Sequence, residues 1–334
     1  MRRAKIAVVG ATGAVGRTML EVLSGRAFPA AQLVALASPK SAGVRLPFGA
    51  GQVEVQALQP GSFSGVQIAL FSAGSAVSRE MAPVAAAAGA VVVDNSSAWR
   101  MDPQCPLVVP EVNAAQARDR PKGIIANPNC STIQMVVALQ PLHQAAGLRR
   151  IVVSTYQAVS GKGAKAVAEL RRQVSESARG DVVRPEVFAR PILGNCLVDW
   201  KPGADGYTEE EWKMVYETRK IMGLPGLEVS PTTVRVPVET GHSESVHAEF
   251  ERPLSAARAR EILGSAPGVV VIDDPAAGAY PTPLEASGRD EVFVGRIRQD
   301  PSRPNALNLW VVSDNLRKGA ATNAVQIAEL VLGE

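Results

Sequence analysis

The chain has 334 residues, 46% hydrophobic and 20% charged, which is enough for two domains with sizeable cores. Its 35 basic and 32 acidic residues leave a net charge of only +3, so it lacks the polybasic footprint of a nucleic-acid-binding protein. No apolar run is long enough to cross a bilayer, and the N-terminus does not resemble a signal peptide. The three cysteines are widely spaced without metal-ligand spacing, so we expect a cytoplasmic protein without a metal site.

The first motif is a glycine-rich turn between a predicted strand and a predicted helix. An apolar run at 5–9 precedes Gly10, Gly13 and Gly16, and a helical pattern continues through 19–23. Glycines let the backbone approach a pyrophosphate, and a helix N-terminus supplies N–H donors. The spacing differs from the standard Gly-x-Gly-x-x-Gly, and a simple tight turn is the alternative. The position between strand and helix favours a dinucleotide-binding turn.

The loop after the second predicted strand, 33–37, indicates the kind of dinucleotide. An NAD site places an acidic residue there for the ribose 2′-hydroxyl, whereas this loop has Ser38, Lys40 and Ser41. Hydroxyls, backbone N–H groups and a lysine would accept a 2′-phosphate that a carboxylate would repel. We therefore predict NADP(H), with Arg17 and Lys40 as auxiliary charges; an ordinary solvated loop is the alternative.

Two further strands, 68–71 and 91–93, end in small polar residues, at Ser72 and at 94–97. Ligands bind at such carboxyl ends in open α/β sheets. Arg100 follows, and it is either a surface ion-pair partner or a group that holds a substrate anion. The alternation of strands and helices predicts a Rossmann-like, doubly wound parallel sheet.

Cys130 lies where a short apolar strand gives way to a predicted helix. Unpaired backbone N–H groups and the positive end of the helix dipole favour the thiolate there, and the thiolate is the nucleophilic form. Asn127, Asn129 and Ser131 are also good capping residues. A structural cysteine at a capped turn is therefore the alternative to a nucleophile.

The second half of the chain has the pattern of an α+β domain with an antiparallel or mixed sheet. Strands are predicted at 151–158, 233–238, 242–250, 269–272, 292–298 and 306–312. We expect one domain over 1–129, joined by the C-terminal helix of about 315–334, and a second over 130–314. The stretch 181–205 has no readable pattern.

Among the three histidines, His242 is the best candidate for an acid or base. It follows a glycine at a strand start, and in an extended segment it shares a face with Val246, Ala248 and Phe250. A satisfied structural histidine is the alternative.

The charged candidates of this half are Arg235, Glu210 and Lys213. Arg235 lies on the opposite face of its strand from the flanking valines. A capping box at Thr208 opens a helix that carries Glu210 and Lys213 three residues apart. Spacing alone explains that pair as a routine exposed contact.

A series of motifs, in the same order along the chain, resembles the aspartate-β-semialdehyde dehydrogenase family. They are Gly-Ala-Thr-Gly-Ala-Val-Gly at 10–16, Asn-Pro-Asn-Cys-Ser-Thr at 127–132, Tyr-Gln-Ala-Val-Ser-Gly at 156–161, Gly-His-Ser at 241–243 and Ser-Asp-Asn-Leu at 313–316. The resemblance covers nearly the whole chain, and the cysteine and glutamine motifs together are highly specific. It implies a homodimer whose second domain serves catalysis and dimerisation.

The resemblance also implies a reaction, the reversible reductive dephosphorylation of L-4-aspartyl phosphate by NADPH to L-aspartate 4-semialdehyde. This step belongs to lysine, threonine, methionine, isoleucine and diaminopimelate biosynthesis. The alternatives are an acyl-phosphate reductase similar to N-acetylglutamyl-phosphate reductase and a non-catalytic NADP-binding regulator.

Matched by position, the resemblance implies roles for individual residues. Cys130 is the nucleophile that forms a thioester, His242 the acid/base, and Gln157 orients the substrate. Arg235 binds the α-carboxylate, Glu210 the amino group, and Arg100 and Lys213 the phosphate, with Asn129 also among the substrate contacts. The implied cofactor-binding residues are Gly10, Thr12, Gly13, Ala14, Val15, Lys40, Ser41, Ser72, Ser160, Gly161 and Asn315.

Overall fold

The computed structural model describes residues 3–198 and 201–333, and the chain divides into two units. The first unit ends at Asn129 and takes in the chain from Gly319 onwards, and the second comprises Cys130–Lys318. The predicted domains and the predicted irregular stretch also include residues 1, 2, 199, 200 and 334, which lie outside the described residues. The assignment of cofactor binding and catalysis to separate domains stays a prediction.

Strands and helices occur in both units. The strands are β1 (Ala4–Val9), β2 (Ala30–Ala37), β3 (Arg45–Phe48), β4 (Gly51–Ala57), β5 (Ile68–Phe71), β6 (Val91–Asp94), β7 (Ile124–Ala126), β8 (Leu148–Gln157), β9 (Glu228–Arg235), β10 (His242–Phe250), β11 (Val269–Val271), β12 (Val292–Asp300) and β13 (Arg303–Ser313). The helices are α1 (Ala14–Gly25), α2 (Ser75–Ala87), α3 (Pro110–Asn113), α4 (Cys130–Ala146), α5 (Ala164–Ala178), α6 (Glu209–Met222), α7 (Ala256–Gly264), α8 (Pro283–Ala286) and α9 (Thr322–Leu332).

The first unit is built on a seven-stranded sheet in the order β3-β4-β2-β1-β5-β6-β7. Its strands pair in parallel except for β3, which lies antiparallel to β4 at the edge. Helices cover both faces: Ile6 and Val8 of β1 pack in a core with α1 and α9, while Ala7 and Val9 pack with α2. Burial on both faces explains the uninterrupted apolar runs of these strands, and the predicted doubly wound α/β sheet is confirmed.

The hairpin of β3 and β4 was not predicted from the sequence. Most of its side chains are exposed or half-buried, and Leu46 and Val55 are its buried residues. The two strands meet at Gly49, whose φ of 59° lies in the left-handed region that favours glycine. An edge hairpin of this kind lacks the apolar run by which the other strands were recognised.

The second unit is built on a six-stranded sheet in the order β11-β12-β13-β10-β8-β9. The pairs β8–β9 and β11–β12 are parallel, and the other three pairs are antiparallel. The expected mixed sheet is therefore confirmed. Every residue of α4 from Ser131 to Leu139 is buried, and the helix packs against β8, β10 and β13.

Polar side chains of α5 hold two segments of 181–205, the stretch without a sequence pattern. Glu169 accepts hydrogen bonds from the backbone N–H groups of 186–187. Gln173 accepts two from 192–193, both of 3.0 Å, and donates to Glu169 over 2.7 Å. Side chains thus replace the partners that a strand or helix would supply, and no local periodicity reports such long-range contacts.

Replacing Gln173 by leucine removes the acceptor of two backbone N–H groups. A buried donor left unpaired costs about 1–3 kcal/mol, so we expect the free energy of unfolding to fall by roughly 2–4 kcal/mol. Urea denaturation measures the change. Arg171→Ala on the same helix is the matched control, because the ion pair of Arg171 with Glu239 is exposed and its loss should leave the midpoint unchanged. An unchanged midpoint for Gln173→Leu would contradict this account.

Candidate active site

Cys130 is the first residue of α4, and it is half-buried and not disulfide-bonded. The first turn of α4 contains no acidic side chain to oppose a negative charge. The charge of Cys130 also interacts with the guanidinium of Arg235. The helix dipole and the nearby cation both favour a thiolate at this position.

Gln157, the last residue of β8, is attached to the start of the same helix. Its side chain is buried, and Nε2 donates to Ser131 Oγ over 2.9 Å. The backbone carbonyl oxygen of Gln157 accepts a hydrogen bond from the N–H of Val236 over 3.0 Å. The amide is therefore held one residue from Cys130, as an orienting role requires.

His242 is the first residue of β10 and is fully buried. Its Nδ1 accepts a hydrogen bond from the N–H of Ala158 over 3.0 Å, so the neutral ring carries its proton on Nε2. Nε2 has no partner among the described residues. Burial, and after it the guanidinium of Arg235, lowers the pKa of His242 well below its usual value. The ring is therefore neutral, with a proton on Nε2 available to a ligand.

Arg235 ends β9 two residues before Pro237, so the strand stops earlier than the predicted 233–238. It shares the buried face of β9 with Thr233, while Val234 on the opposite face is only half-buried. One guanidinium nitrogen donates to the carbonyl oxygen of Ala158 over 2.6 Å. Burial lowers its pKa, and the charges of Glu210 and Cys130 oppose that shift. An arginine remains charged in proteins, so the site holds a buried cation.

Gly161 lies next to both the imidazole of His242 and the guanidinium of Arg235. It belongs to a short helical turn, Val159–Lys162. A Cβ at Gly161 would stand 2.8 Å from the Arg235 Nη1 and 3.2 Å from the His242 Nε2. The absence of a side chain therefore leaves space in front of both groups.

Asn315 connects this turn to the strand of His242. Its Nδ2 donates to Ser160 Oγ over 2.9 Å, and its Oδ1 accepts from the N–H of Gly241 over 2.9 Å. The structure thus places Ser160, Gly161 and Asn315 together with the predicted catalytic residues. Their role as cofactor contacts stays a prediction.

The Glu210–Lys213 pair differs from the routine exposed contact that its spacing indicated. Lys213 Nζ donates to Glu210 Oε2 over 2.9 Å, but the Glu210 side chain is only 8% exposed. Its carboxylate also acts on the guanidinium of Arg235. Glu210 is therefore buried near Arg235, with Lys213 as its half-buried partner. The spacing of the two residues within one helix could not show this contact with another element.

The glycine turn of the first unit forms one wall of a cavity of about 600 Å³. A Cβ at Gly10 would clash with the carbonyl oxygen of Ser72, and one at Gly16 with the carbonyl oxygen of Gly10. Only glycine fits this cradle, and the first turn of α1 has no acidic side chain. The two glycines thus let this turn, the glycine cradle, pack tightly on its own backbone, and the start of α1 at the cavity wall suits a pyrophosphate.

The cavity contains part of the predicted cofactor set. Its lining residues include Gly10, Thr12, Gly13, Ser38, Ser72 and the acidic Glu80. Ala14 and Val15 begin α1, while Lys40 and Ser41 belong to the short turn Pro39–Ser41 next to the lining residue Ser38. Cofactor contacts by all of these residues, those that line the cavity included, stay a prediction.

Arg100 and Asn129 are the predicted substrate contacts that lie in the first unit. Arg100 is 8% exposed and donates to the carbonyl oxygens of Asn95 and Asn127, both over 3.0 Å. Asn129 is buried. Contacts of either residue with substrate stay a prediction.

Sequence reasoning missed Ala158, whose N–H and C=O orient His242 and Arg235 respectively. It also missed the contact of Ser131 with Gln157. Ala158 stood only inside the motif at 156–161, and its side chain did not indicate that its backbone groups would orient two other residues. Ser131 stood out only as a capping residue.

The described ranges 3–198 and 201–333 contain neither a membrane-spanning helix nor a metal centre. No helix there is long and apolar enough to span a membrane. No group of three or more His, Cys, Asp or Glu side chains in those ranges is placed to hold a metal ion.

Comparison with known proteins gives matches along the chain. Residues 5–120 match the NAD-binding domain of semialdehyde dehydrogenases, and 139–318 match their dimerisation domain. The chain is 56% identical over 334 residues to the aspartate-semialdehyde dehydrogenase of Aquifex aeolicus, covering 99% of this chain and 98% of the relative. It is 51% identical over 335 residues to that of Bacillus subtilis, covering 97% and 96%.

Solved structures resemble the chain over its full length. The aspartate semialdehyde dehydrogenase II of Vibrio cholerae, complexed with ASA, has a TM-score of 0.98 at 47% identity, covering 100% of this chain and 99% of that one. The aspartate semialdehyde dehydrogenase of Candida albicans with NADP has a TM-score of 0.75 at 27% identity, covering 99% of each chain.

Adding a methyl group at Gly161 tests the space in front of His242 and Arg235. The backbone there tolerates alanine, because Gly161 is not among the glycines with a positive φ. We expect Gly161→Ala to displace both side chains and lower kcat/KM about 10–100-fold in a steady-state assay. Gly226→Ala in the same unit is the control, since a Cβ there meets nothing within 4 Å. Equal effects of the two substitutions would refute the proposed crowding.

Proposed function

The chain belongs to the aspartate-semialdehyde dehydrogenase family, and we propose that it catalyses the family reaction with NADP(H) through a thioester on Cys130. In the biosynthetic direction, L-4-aspartyl phosphate, NADPH and a proton give L-aspartate 4-semialdehyde, phosphate and NADP⁺. The main support is the grouping, within one unit, of the Cys130 thiol at a helix start, the protonated His242 Nε2 and the buried cation of Arg235.

Arg235 and Glu210 define the substrate in this proposal. A guanidinium binds a carboxylate through two parallel hydrogen bonds, which suits the α-carboxylate of an aspartyl substrate. The nearby buried carboxylate of Glu210 complements a free α-amino group. An N-acetylated substrate has no positive charge there, so this pair favours the aspartyl substrate over an N-acetylglutamyl one.

Cys130 carries the covalent step. Its thiolate attacks the acyl carbon of the acyl phosphate, and the N–H groups at the start of α4 stabilise the oxyanion that forms. Breaking the carbon–oxygen bond to the leaving group expels phosphate and leaves a thioester on Sγ. Lys213 and Arg100 are the proposed phosphate contacts, with Asn129 beside the nucleophile in the chain.

NADP(H), when bound at the cradle of Gly10 and Gly16, supplies the hydride in this direction and accepts it in the reverse direction. His242 holds a proton at Nε2, and its hydrogen bond stabilises the substrate oxygen while that oxygen carries negative charge. When this oxygen forms the aldehyde carbonyl, the carbon–sulfur bond breaks, which releases the semialdehyde and restores the Cys130 thiolate; the expelled phosphate takes up the proton of the overall reaction. The Ala158 N–H fixes this tautomer. Gln157 orients the acyl group next to the helix start.

The dimerisation-domain match over 139–318 supports a homodimer. The biosynthetic reaction supports a cytoplasmic place in lysine, threonine, methionine, isoleucine and diaminopimelate synthesis. The proposed domain division assigns NADP binding to the first unit and catalysis and dimerisation to the second.

Removing the Cys130 thiol tests the thioester mechanism. We expect the wild type to form NADPH from aspartate semialdehyde, NADP⁺ and phosphate, and Cys130→Ala to lose at least about 1,000-fold in kcat because no other thiol replaces the nucleophile. Cys196→Ser is the matched control, since Cys196 is exposed and has no proposed role. Substantial turnover by Cys130→Ala would exclude the thioester, and an inactive but folded wild type would exclude the proposed function.

Cofactor preference tests the loop at Lys40. We expect a higher kcat/KM with NADP⁺ than with NAD⁺, and Lys40→Glu should reduce that ratio about tenfold by repelling the 2′-phosphate. Lys165→Glu, an exposed position of α5, should leave the ratio unchanged. Equal or better rates with NAD⁺ in the wild type would overturn the NADP assignment.

A further inference from the structure

Gln134 is a fully buried polar side chain of α4 that the proposed mechanism does not use. It lies between the apolar residues Ile133 and Met135, about one helical turn after Cys130 and on the same face of the helix. Burying an amide costs free energy unless hydrogen bonds compensate, so the partners of Gln134 indicate its role.

The partners of Gln134 lie on the strand pair that carries His242. Its Nε2 donates to the carbonyl oxygen of His242 over 3.4 Å, and its Oε1 accepts from Ser313 Oγ over 2.7 Å. His242 and Ser313 are directly opposite each other in the antiparallel pairing of β10 with β13. One side chain therefore connects the helix that begins at Cys130 to both strands at the position of His242.

Glu244 lies beside this connection, two residues after His242 on the same face of β10. It is fully buried, and the Gln134 side chain lies near enough to interact with its carboxyl, although the contact does not meet hydrogen-bond geometry. Burial raises the pKa of Glu244 well above its usual value, and the Gln134 amide opposes that shift. The raised pKa favours the neutral form of the carboxyl, which competes less strongly than a carboxylate for the Gln134 amide.

We propose that Gln134 is a positioning residue that fixes α4 against the His242–Ser313 pair and thereby sets the Cys130 Sγ relative to the His242 ring. This inference rests on the proposed function. Apolar packing is non-directional and permits small shifts of a helix along its axis, whereas two hydrogen bonds from one amide define a single register. A displacement of a reacting group by about 1 Å can lower the rate about 100-fold.

Gln134→Met tests the inference, because methionine is unbranched and similar in size but removes both hydrogen bonds. We expect kcat for NADPH formation from aspartate semialdehyde, NADP⁺ and phosphate to fall about 10–100-fold. The KM for aspartate semialdehyde should change less than about threefold, since the Arg235 and Glu210 contacts are retained. Gln140→Met on the same helix is the matched control and should keep the wild-type kcat, because the Gln140 Oε1 has no partner among the described residues.

The outcomes separate positioning from a merely structural role. A Gln134→Met protein that is less stable but keeps kcat within about twofold of the wild type would overturn the inference, as would a rise in KM at constant kcat. If this variant does not fold, Ser313→Ala removes one of the two bonds, and kcat should fall about threefold or more at constant KM. An unchanged kcat for Ser313→Ala would then overturn the inference.

Two further results test the neighbouring carboxyl and the underlying reaction. Glu244→Gln, a neutral isostere, should keep kcat within about twofold, because burial raises the pKa of Glu244 and so favours its uncharged form. A loss as large as that of Gln134→Met would contradict a passive neutral role for Glu244. An inactive wild type would refute the proposed function itself, whereas an active wild type with an unaffected Gln134→Met variant would refute only the positioning role.

Discussion

The two peptide groups that flank Ala158 orient the side chains of His242 and Arg235, on which the candidate site depends. Its N–H donates to the Nδ1 of His242, and its carbonyl oxygen accepts from Arg235. The first contact determines which ring nitrogen carries the proton, and the second directs a buried cation to the same place. Because both contacts come from the residue directly after β8, the relative placement of the imidazole and the guanidinium follows from where β8 ends in the sheet.

Burial gives these groups properties that they would lack at the surface. Desolvation and the adjacent guanidinium keep His242 neutral, while the carboxylate of Glu210 and the charge of Cys130 help to retain the proton on Arg235. A neutral donor and a fixed cation next to a thiol at a helix start together suit an anionic acyl substrate. Because Gly161 has no side chain, space remains in which such a substrate can contact both the imidazole of His242 and the guanidinium of Arg235.

Local sequence patterns predicted much of the fold but not all of it. Apolar runs marked the central strands because both faces of the first sheet are covered, and the parity of His242 with Val246 correctly indicated the buried face of β10. The β3–β4 hairpin was missed because only Leu46 and Val55 are buried there. The stretch 181–205 was unreadable because Glu169 and Gln173 of a different element accept the hydrogen bonds of its residues 186–187 and 192–193.

The sequence by itself determined the alternation of strands and helices, the glycine cradle and the residue types of the proposed acyl transfer, since these depend on local periodicity and on motifs within short segments. It also carried the family resemblance, because motif order is a property of the chain. Only the tertiary structure decided that Glu210 is buried near Arg235 rather than solvated, and that the backbone of Ala158 sets the His242 tautomer. Those outcomes depend on contacts between segments far apart in the chain, and desolvation acts on a charge only after the fold has enclosed it.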